Sequence, residues 1–333
     1  DWSSDVCSSD LTAGIFEMGM NRKNEIAEIA AVLKPRFAII TNIGTAHIGL
    51  LGSRENIAEE KANIFSHFGS FGTAFIPQDD DFASFLAERV DGKVVFYGPN
   101  AAQDEDDKAK VEFVKDEGLN GTTFMIGGIK ATLSLPGSHN FSDALGAIAL
   151  AKVLGLTASE IAEGINSVKS VFGRSQVIKA GNSLTIVQDC YNANPDSMEK
   201  AIEFISLVKS SEGSSCAEEK ILVLGDMKEL GKESLKEHQR TGAQAAKSGA
   251  SLLIFVGNEM LPAYKAAQEE ICKNNLKAQT EYIAGSPDGG ADEAAVEKAS
   301  SLIKAFADRC KKVIVLIKGS RGMALERITK KLS

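Results

Sequence analysis

Four apolar runs in the second half of the chain, Leu184–Cys190, Lys220–Leu224, Ser251–Val256 and Val313–Ile317, alternate with helix-length segments over Met198–Val208, Leu235–Lys247, Glu259–Cys272 and Glu293–Ala307. Strands separated by helices cannot pair as tight hairpins. Each crossover brings the next strand back parallel, and the helices cover the sheet faces. This half is therefore expected to be a Rossmann-like α/β layer structure. It has no glycine-rich dinucleotide fingerprint, so NAD is not expected.

The first half follows a similar rule. Thr12–Phe16 reads as a strand, Asn24–Leu33 as an amphipathic helix, Arg36–Thr41 as a strand, Glu55–Phe68 as a helix and Gly72–Ile76 as a strand. From Val94 to Leu135 the pattern shifts to short β-like runs, split by the polar stretch Asp104–Lys110. Helices are expected over Phe141–Leu154 and Ala158–Val168. The chain crosses into its second unit near Gly173-Arg174, which gives domains over 12–173 and 174–333. Ser210–Glu219 and Gly285–Asp292 read as polar surface loops.

At 333 residues the chain has room for two such domains, and 44% hydrophobic with 25% charged residues is a globular composition. The formal charge of −8 argues against nucleic acid as a partner, and no apolar run reaches the length of a membrane span. Five cysteines without C-x-x-C spacing fit reduced thiols in a cytoplasm rather than a disulfide frame or a zinc site. Residues 1–11 carry the single Trp, have no usable periodicity and read as a translated sequencing adapter, so they are expected to be a non-native leader.

The strand ends carry the chemistry. Tyr191-Asn192-Ala193-Asn194-Pro195-Asp196-Ser197-Met198 closes one strand and opens a helix. Pro195 gives no N–H to a ladder, and Asn and Asp bond their own backbone, so a sharp loop follows. Open α/β sheets place ligands at such carboxyl ends. An ordinary turn with Asp196 or Ser197 as N-cap fits equally well. Lys318-Gly-Ser320-Arg321 puts two cations and a hydroxyl before a helix, a natural anion site or else a basic turn. Asp189, inside an apolar strand, would be costly without a partner or a function.

Read in order, Glu17-Met-Gly-Met-Asn21, Thr41-Asn-Ile-Gly-Thr-Ala-His47-Ile-Gly49 and Tyr191–Met198 resemble the motifs of the Mur ligases, over nearly all of the chain from Thr12 to Leu332. The resemblance implies an α/β fold: the remainder of a P-loop-type central ATPase domain followed by a Rossmann-like C-terminal domain. It implies a cytoplasmic, monomeric ligase that uses ATP and Mg²⁺. The branch it is most similar to joins D-alanyl-D-alanine to UDP-N-acetylmuramoyl-tripeptide through an acyl phosphate. Another Mur-type amino-acid ligase and a non-catalytic nucleotide-binding fragment are the alternatives. The sequence contains no G-x-x-x-x-G-K-[ST], and Gly128-Ile-Lys130 and Gly231-Lys-Glu-Ser234 lack its spacing, so a truncated chain, inactive alone, is expected.

The resemblance also assigns roles. Glu17, His47 and a carbamylated Lys61 would hold magnesium, with Lys61, His47 and Arg174 catalytic. By spacing alone, Glu17 is a capping or solvated acid, His47 structural, and Lys61 a solvated lysine with Glu59 and Glu60 as neighbours. Asn63 stands where many relatives have Glu. Asn140 would read the adenine, though it also reads as a simple N-cap. Asp189 would bind the ribose, and Arg174, between the units, the γ-phosphate. Tyr191, Asn192, Asn194, Pro195, Ser197, Lys318, Ser320 and Arg321 would lie near the substrate and the incoming amine. Gly225–Gly231 is a further family-like loop, structural or substrate-adjacent.

Overall fold

The computed structural model describes residues 13–103, 107–208, 218–287 and 289–333. The expected leader, Thr12, most of the loop expected at 210–219 and parts of the loops at 104–110 and 285–292 lie outside the described residues.

The first unit opens with α1 (Glu25–Leu33), whose Ile26 and Ala30 are buried one turn apart, as an amphipathic helix requires. β1 (Phe37–Ile39) follows, then α2 (Ile48–Leu51), α3 (Arg54–Ala62), β2 (Thr73–Pro77), α4 (Ala83–Ala87) and β3 (Lys93–Tyr97). These strands form a parallel sheet in the order β1-β2-β3. β4 (Val111–Asp116), β5 (Thr122–Ile126) and β6 (Ile129–Leu133) make a separate antiparallel sheet. α5 (Ser138–Val153) and α6 (Ala158–Ser167) complete the unit. One core joins the two sheets: Phe141, Leu145 and Ile148 of α5 pack with Phe75 and Tyr97 on one side and Phe124 and Leu133 on the other.

The second unit contains β7 (Gln176–Ala180), β8 (Leu184–Asp189), α7 (Pro195–Leu207), β9 (Glu219–Gly225) and α8 (Ser234–Lys247). β10 (Leu252–Val256), α9 (Leu261–Asn274), β11 (Gln279–Ile283), α10 (Glu293–Ala307), β12 (Val313–Lys318) and α11 (Glu326–Leu332) complete it. Its six strands run in the order β11-β10-β9-β12-β8-β7, all pairs parallel except β7 with β8. Alternate residues of the apolar runs go to opposite faces. Ile221, Val223, Ile254 and Val315 meet α10 and α11, whereas Leu222, Leu224, Phe255 and Leu316 meet α7, α8 and α9. This is the covered parallel sheet expected from the alternation, with β7, β11 and α11 added at its margins.

Several expectations are corrected. Residues 13–20 form no strand, and Ile15 is 94% exposed. An apolar run becomes a strand only where a neighbour takes its ladder bonds, and among the described residues none does. β3 belongs to the parallel sheet, so the antiparallel excursion begins only at β4. The helix expected over Glu55–Phe68 ends as α-helix at Ala62 and tightens into a 3₁₀ turn over Asn63–Phe65. The helix expected from Phe141 starts at Ser138, which places Asn140 within its first turn and not at the N-cap, a position held by Gly137. The helix expected from Met198 starts at Pro195.

Candidate active site

β12 comes last in the chain yet lies between β8 and β9. The strand order reverses there, and the carboxyl ends of β8, β12 and β9 open onto one crevice, the position where such sheets bind ligands. The loops at 189–197, 318–321 and 225–231 all begin from it.

Asp189 and Lys318 are register partners on β8 and β12. Lys318 Nζ donates to Asp189 Oδ2 at 2.6 Å and to the Asn192 carbonyl at 3.3 Å, and the residue is 2% exposed. The Ser175 N–H donates to Asp189 Oδ1 at 3.1 Å. The acid that looked costly in a buried strand is thus paired twice over. A charge pair this buried holds only because both ends are satisfied.

Asn194 caps α7 in a reciprocal box: its Oδ1 accepts the Ser197 N–H at 2.9 Å, and Ser197 Oγ accepts the Asn194 N–H at 3.1 Å. Pro195 takes the first helical position, where its missing N–H costs nothing. The cap is therefore Asn194, not Asp196 or Ser197. Asp196 instead reaches the first unit, accepting the Thr45 N–H at 2.5 Å and the Thr45 hydroxyl at 2.7 Å.

The 225–231 loop is held from beneath. Asp226 is fully buried, pairs with Lys228 Nζ at 2.9 Å and accepts the Glu259 N–H at 3.0 Å. Burial pushes its carboxyl above the usual range, against the pull of Lys228. Ser320 Oγ accepts the Lys228 N–H at 2.9 Å, tying this loop to the one after β12. Arg321 bonds Glu326 at 2.8 Å and lies 5.7 Å from the Phe172 ring centroid. Arg174 stacks over Tyr191 at 4.2 Å, and both are exposed.

The first unit contributes from the loop after β1. His47 precedes α2, and its Nδ1 lies 2.8 Å from Glu229 Oε2. Lys61 is half-buried and donates to the Asn42 carbonyl at 2.7 Å, so it is not the solvated lysine its neighbours suggested. Burial lowers its amine below the ordinary lysine value, with Asp80 and Asp196 opposing. Its neighbour Glu60 is buried and accepts the Asn24 and Ile26 N–H groups at the start of α1. Asn63 donates to that same Glu60 carboxylate at 3.3 Å. Asn140 donates to the Pro136 carbonyl at 2.7 Å. Burial lowers its neighbour His139 below the ordinary imidazole value, with Asp189 opposing and Lys318 and Lys200 adding to the shift.

Some of these residues line one cavity of about 270 Å³, His47, Asn192, Asn194, Lys228, Ser320 and Arg321 among them, whereas Lys61, Asn140, Arg174, Asp189 and Lys318 are not in its lining. Glu17 is not among its lining residues: it is exposed on an irregular segment, not at a strand end as expected. Among the described residues no three His, Cys, Asp or Glu side chains converge to form a protein-built metal cage. Sequence reasoning missed Glu229, Thr45 and Asp196 as contacts between the units. The charged run Asp226-Met-Lys-Glu229 directly after a buried strand was the available signal for the first of them.

Comparison with known proteins gives the family. The profile of the Mur ligase middle domain matches residues 3–151, and that of the Mur ligase, glutamate ligase domain, matches residues 173–321. UDP-N-acetylmuramoyl-tripeptide–D-alanyl-D-alanine ligase of Treponema pallidum is 39% identical over 316 residues, covering 95% of this chain and 62% of the relative. The enzyme of the same name from Bacillus subtilis is 32% identical, covering 96% of this chain and 64% of the relative. The chain thus spans less than two thirds of the length of these relatives. Among solved structures, MurF from Acinetobacter baumannii superposes with a TM-score of 0.75 at 25% identity, over 94% of this chain and 63% of that one. MurF from Thermotoga maritima in complex with ADP superposes with a TM-score of 0.70 at 23% identity, over 95% and 65%, a likeness of fold.

Proposed function

The chain belongs to the Mur ligases, and on that premise we propose that the protein it comes from is an ATP-dependent amide ligase. It joins D-alanyl-D-alanine to UDP-N-acetylmuramoyl-tripeptide in the cytoplasmic synthesis of peptidoglycan precursors. The observation that carries the reading is the convergence of the β8, β9 and β12 loops with His47 on one polar cavity.

In the proposed reaction the terminal carboxylate of the tripeptide attacks the γ-phosphorus of ATP. An acyl phosphate forms and ADP leaves. The neutral amine of the dipeptide then attacks the acyl carbon, its proton is lost, and inorganic phosphate departs with the C–O electron pair. Charge stabilisation and positioning carry such steps. Asn140, whose amide is a donor and an acceptor, would read the adenine, and Asp189 would accept from the ribose hydroxyls. Arg174 stands at the boundary of the units with its guanidinium steadied by Tyr191, suited to a phosphoryl group. Lys228, Ser320 and Arg321 give the cavity cationic and hydroxyl donors for the dipeptide carboxylate.

Magnesium is bound by few protein ligands and completes its shell with waters and phosphate oxygens. Glu17, His47 and, once carbamylated, Lys61 would be the residues to hold it; of the three, only His47 lines the cavity. When bound, the ion would neutralise charge on the transferring phosphoryl group. Lys61 is suited to take up CO₂ because a lowered amine value increases its neutral fraction. A carbamate signal from ¹³C-bicarbonate, absent in Lys61→Gln, tests that point.

The direct assay supplies ATP, Mg²⁺, acceptor and dipeptide to the gene product containing this chain. Mass-spectrometric detection of the pentapeptide product, with phosphate release dependent on the dipeptide, is the expected result. Phosphate release driven instead by a single amino acid would reassign the protein to another Mur-type ligase.

A further inference from the structure

Two residues that are not glycine face each other across the units with left-handed backbones: His47 at φ 62° and Glu229 at φ 66°. Such conformations are uncommon outside glycine, though less so for histidine than for glutamate, and persist where surrounding contacts hold them. Here the contacts are mutual. Glu229 Oε2 lies 2.8 Å from His47 Nδ1, and the Glu229 carbonyl accepts the Gly49 N–H at 3.1 Å.

Gly49 is the second half of the fit. A Cβ on it would lie 2.2 Å from the Glu229 carbonyl oxygen and 2.8 Å from the Gly231 nitrogen, both backbone atoms that cannot swing away. Its own φ is not in the left-handed region. The glycine is thus needed for the approach of the second unit and not for the shape of its own loop. At the other end of the same loop, Thr45 is fastened to Asp196.

We propose that Glu229 is a positioning residue that clasps loop 45–49 when the two units meet, with its carbonyl on Gly49 and its carboxylate fixing the His47 ring. With Nδ1 engaged by Glu229, Nε2 is the His47 nitrogen left for the cavity both residues line. A carboxylate behind a histidine fixes ring orientation in just this way. The clasp stands on geometry. Its bearing on catalysis rests on the ligase reading.

The test uses the full chain and two variants. Gly49→Ala should leave each unit folded, raise amide exchange across 45–50 and 229–231 at least tenfold, and broaden the distance distribution between spin labels on the two units. Glu229→Gln keeps the carbonyl contact, so distances should stay near wild type while the ¹⁵N shifts of the His47 ring change. Unchanged exchange and distances in Gly49→Ala, together with unchanged His47 shifts in Glu229→Gln, would overturn the proposal. Should Gly49→Ala fail to fold, the His47 shifts in Glu229→Gln decide alone. Neither readout depends on turnover, so a failed ligase assay would leave the clasp standing and a failed clasp would leave the ligase reading standing.

Discussion

The two units treat their polar residues differently. In the second, the strand ends are self-sufficient: Lys318 is paired with Asp189, Lys228 with Asp226, and Asn194 with Ser197, all within one sheet and its loops. In the first, the candidate residues lean on backbone or on the other unit. Lys61 bonds a carbonyl, His47 bonds Glu229, and Thr45 bonds Asp196. A six-stranded sheet with two covered faces can bury charge and satisfy it locally. The three-stranded β1-β2-β3 sheet, with short β1 at its edge, offers fewer partners. One half of the site is therefore built in advance, and the other is completed by contact.

The sharpest way to break this contrast is Asp189→Ala. It leaves the Lys318 ammonium buried without its partner, and a loss of about 3–5 kcal/mol is expected. Urea unfolding of the second unit measures it, and a cost near zero would mean that the β8 and β12 ends are not self-sufficient. Asn194→Ala should cost about 1 kcal/mol through the lost cap of α7, read in the same experiment. Thr45→Val, which removes the hydroxyl bond to Asp196 and keeps the backbone one, should cost the second unit nothing measurable if the contrast holds.

Lys61 gives a pH test on the other side. Its amine is lowered in the folded state, so folded protein releases the proton first as pH rises. Between that lowered value and the ordinary lysine value of about 10.4, the unfolded chain holds more protons and stability gained from this residue increases with pH. Lys61→Met should flatten that alkaline rise in a series of melts, and an unchanged slope would contradict the burial. Smallest in its effect on stability is thiol labelling. Cys190 is buried at the end of β8 with its thiol pushed up to about 12 by burial and by Glu326 and Asp189. It should stay unlabelled at neutral pH under conditions where exposed Cys272 reacts.

Much of the second unit was legible because its strands are runs such as Leu252–Val256 with helices between them, a pattern only a covered parallel sheet satisfies. β7 and β11 escaped notice because marginal strands carry polar residues, Lys179 and Glu281 among them, that blur the apolar signal. The Asn194 cap was misread because three capping residue types stand within four positions, and only geometry decides which one takes the role. The strand expected over Thr12–Phe16 failed for a different reason. Residues 13–16 are apolar enough for a strand, but pairing is a property of neighbours and not of the segment, as exposed Ile15 makes plain. Asp189 and Lys318 were both singled out from the sequence, yet their partnership spans 129 positions and no local pattern could announce it. Glu229 was hidden for the same reason, since the histidine it holds lies 182 positions earlier, in the other unit.

The central claim is that one site is shared between the β8, β9 and β12 ends and the loop after β1. Hydrogen exchange of the chain with and without D-alanyl-D-alanine addresses it most directly. Joint protection of 189–197, 225–231, 318–321 and 42–49 is the result expected. Protection confined to one unit, with the other unmoved at saturating dipeptide, would contradict a shared site.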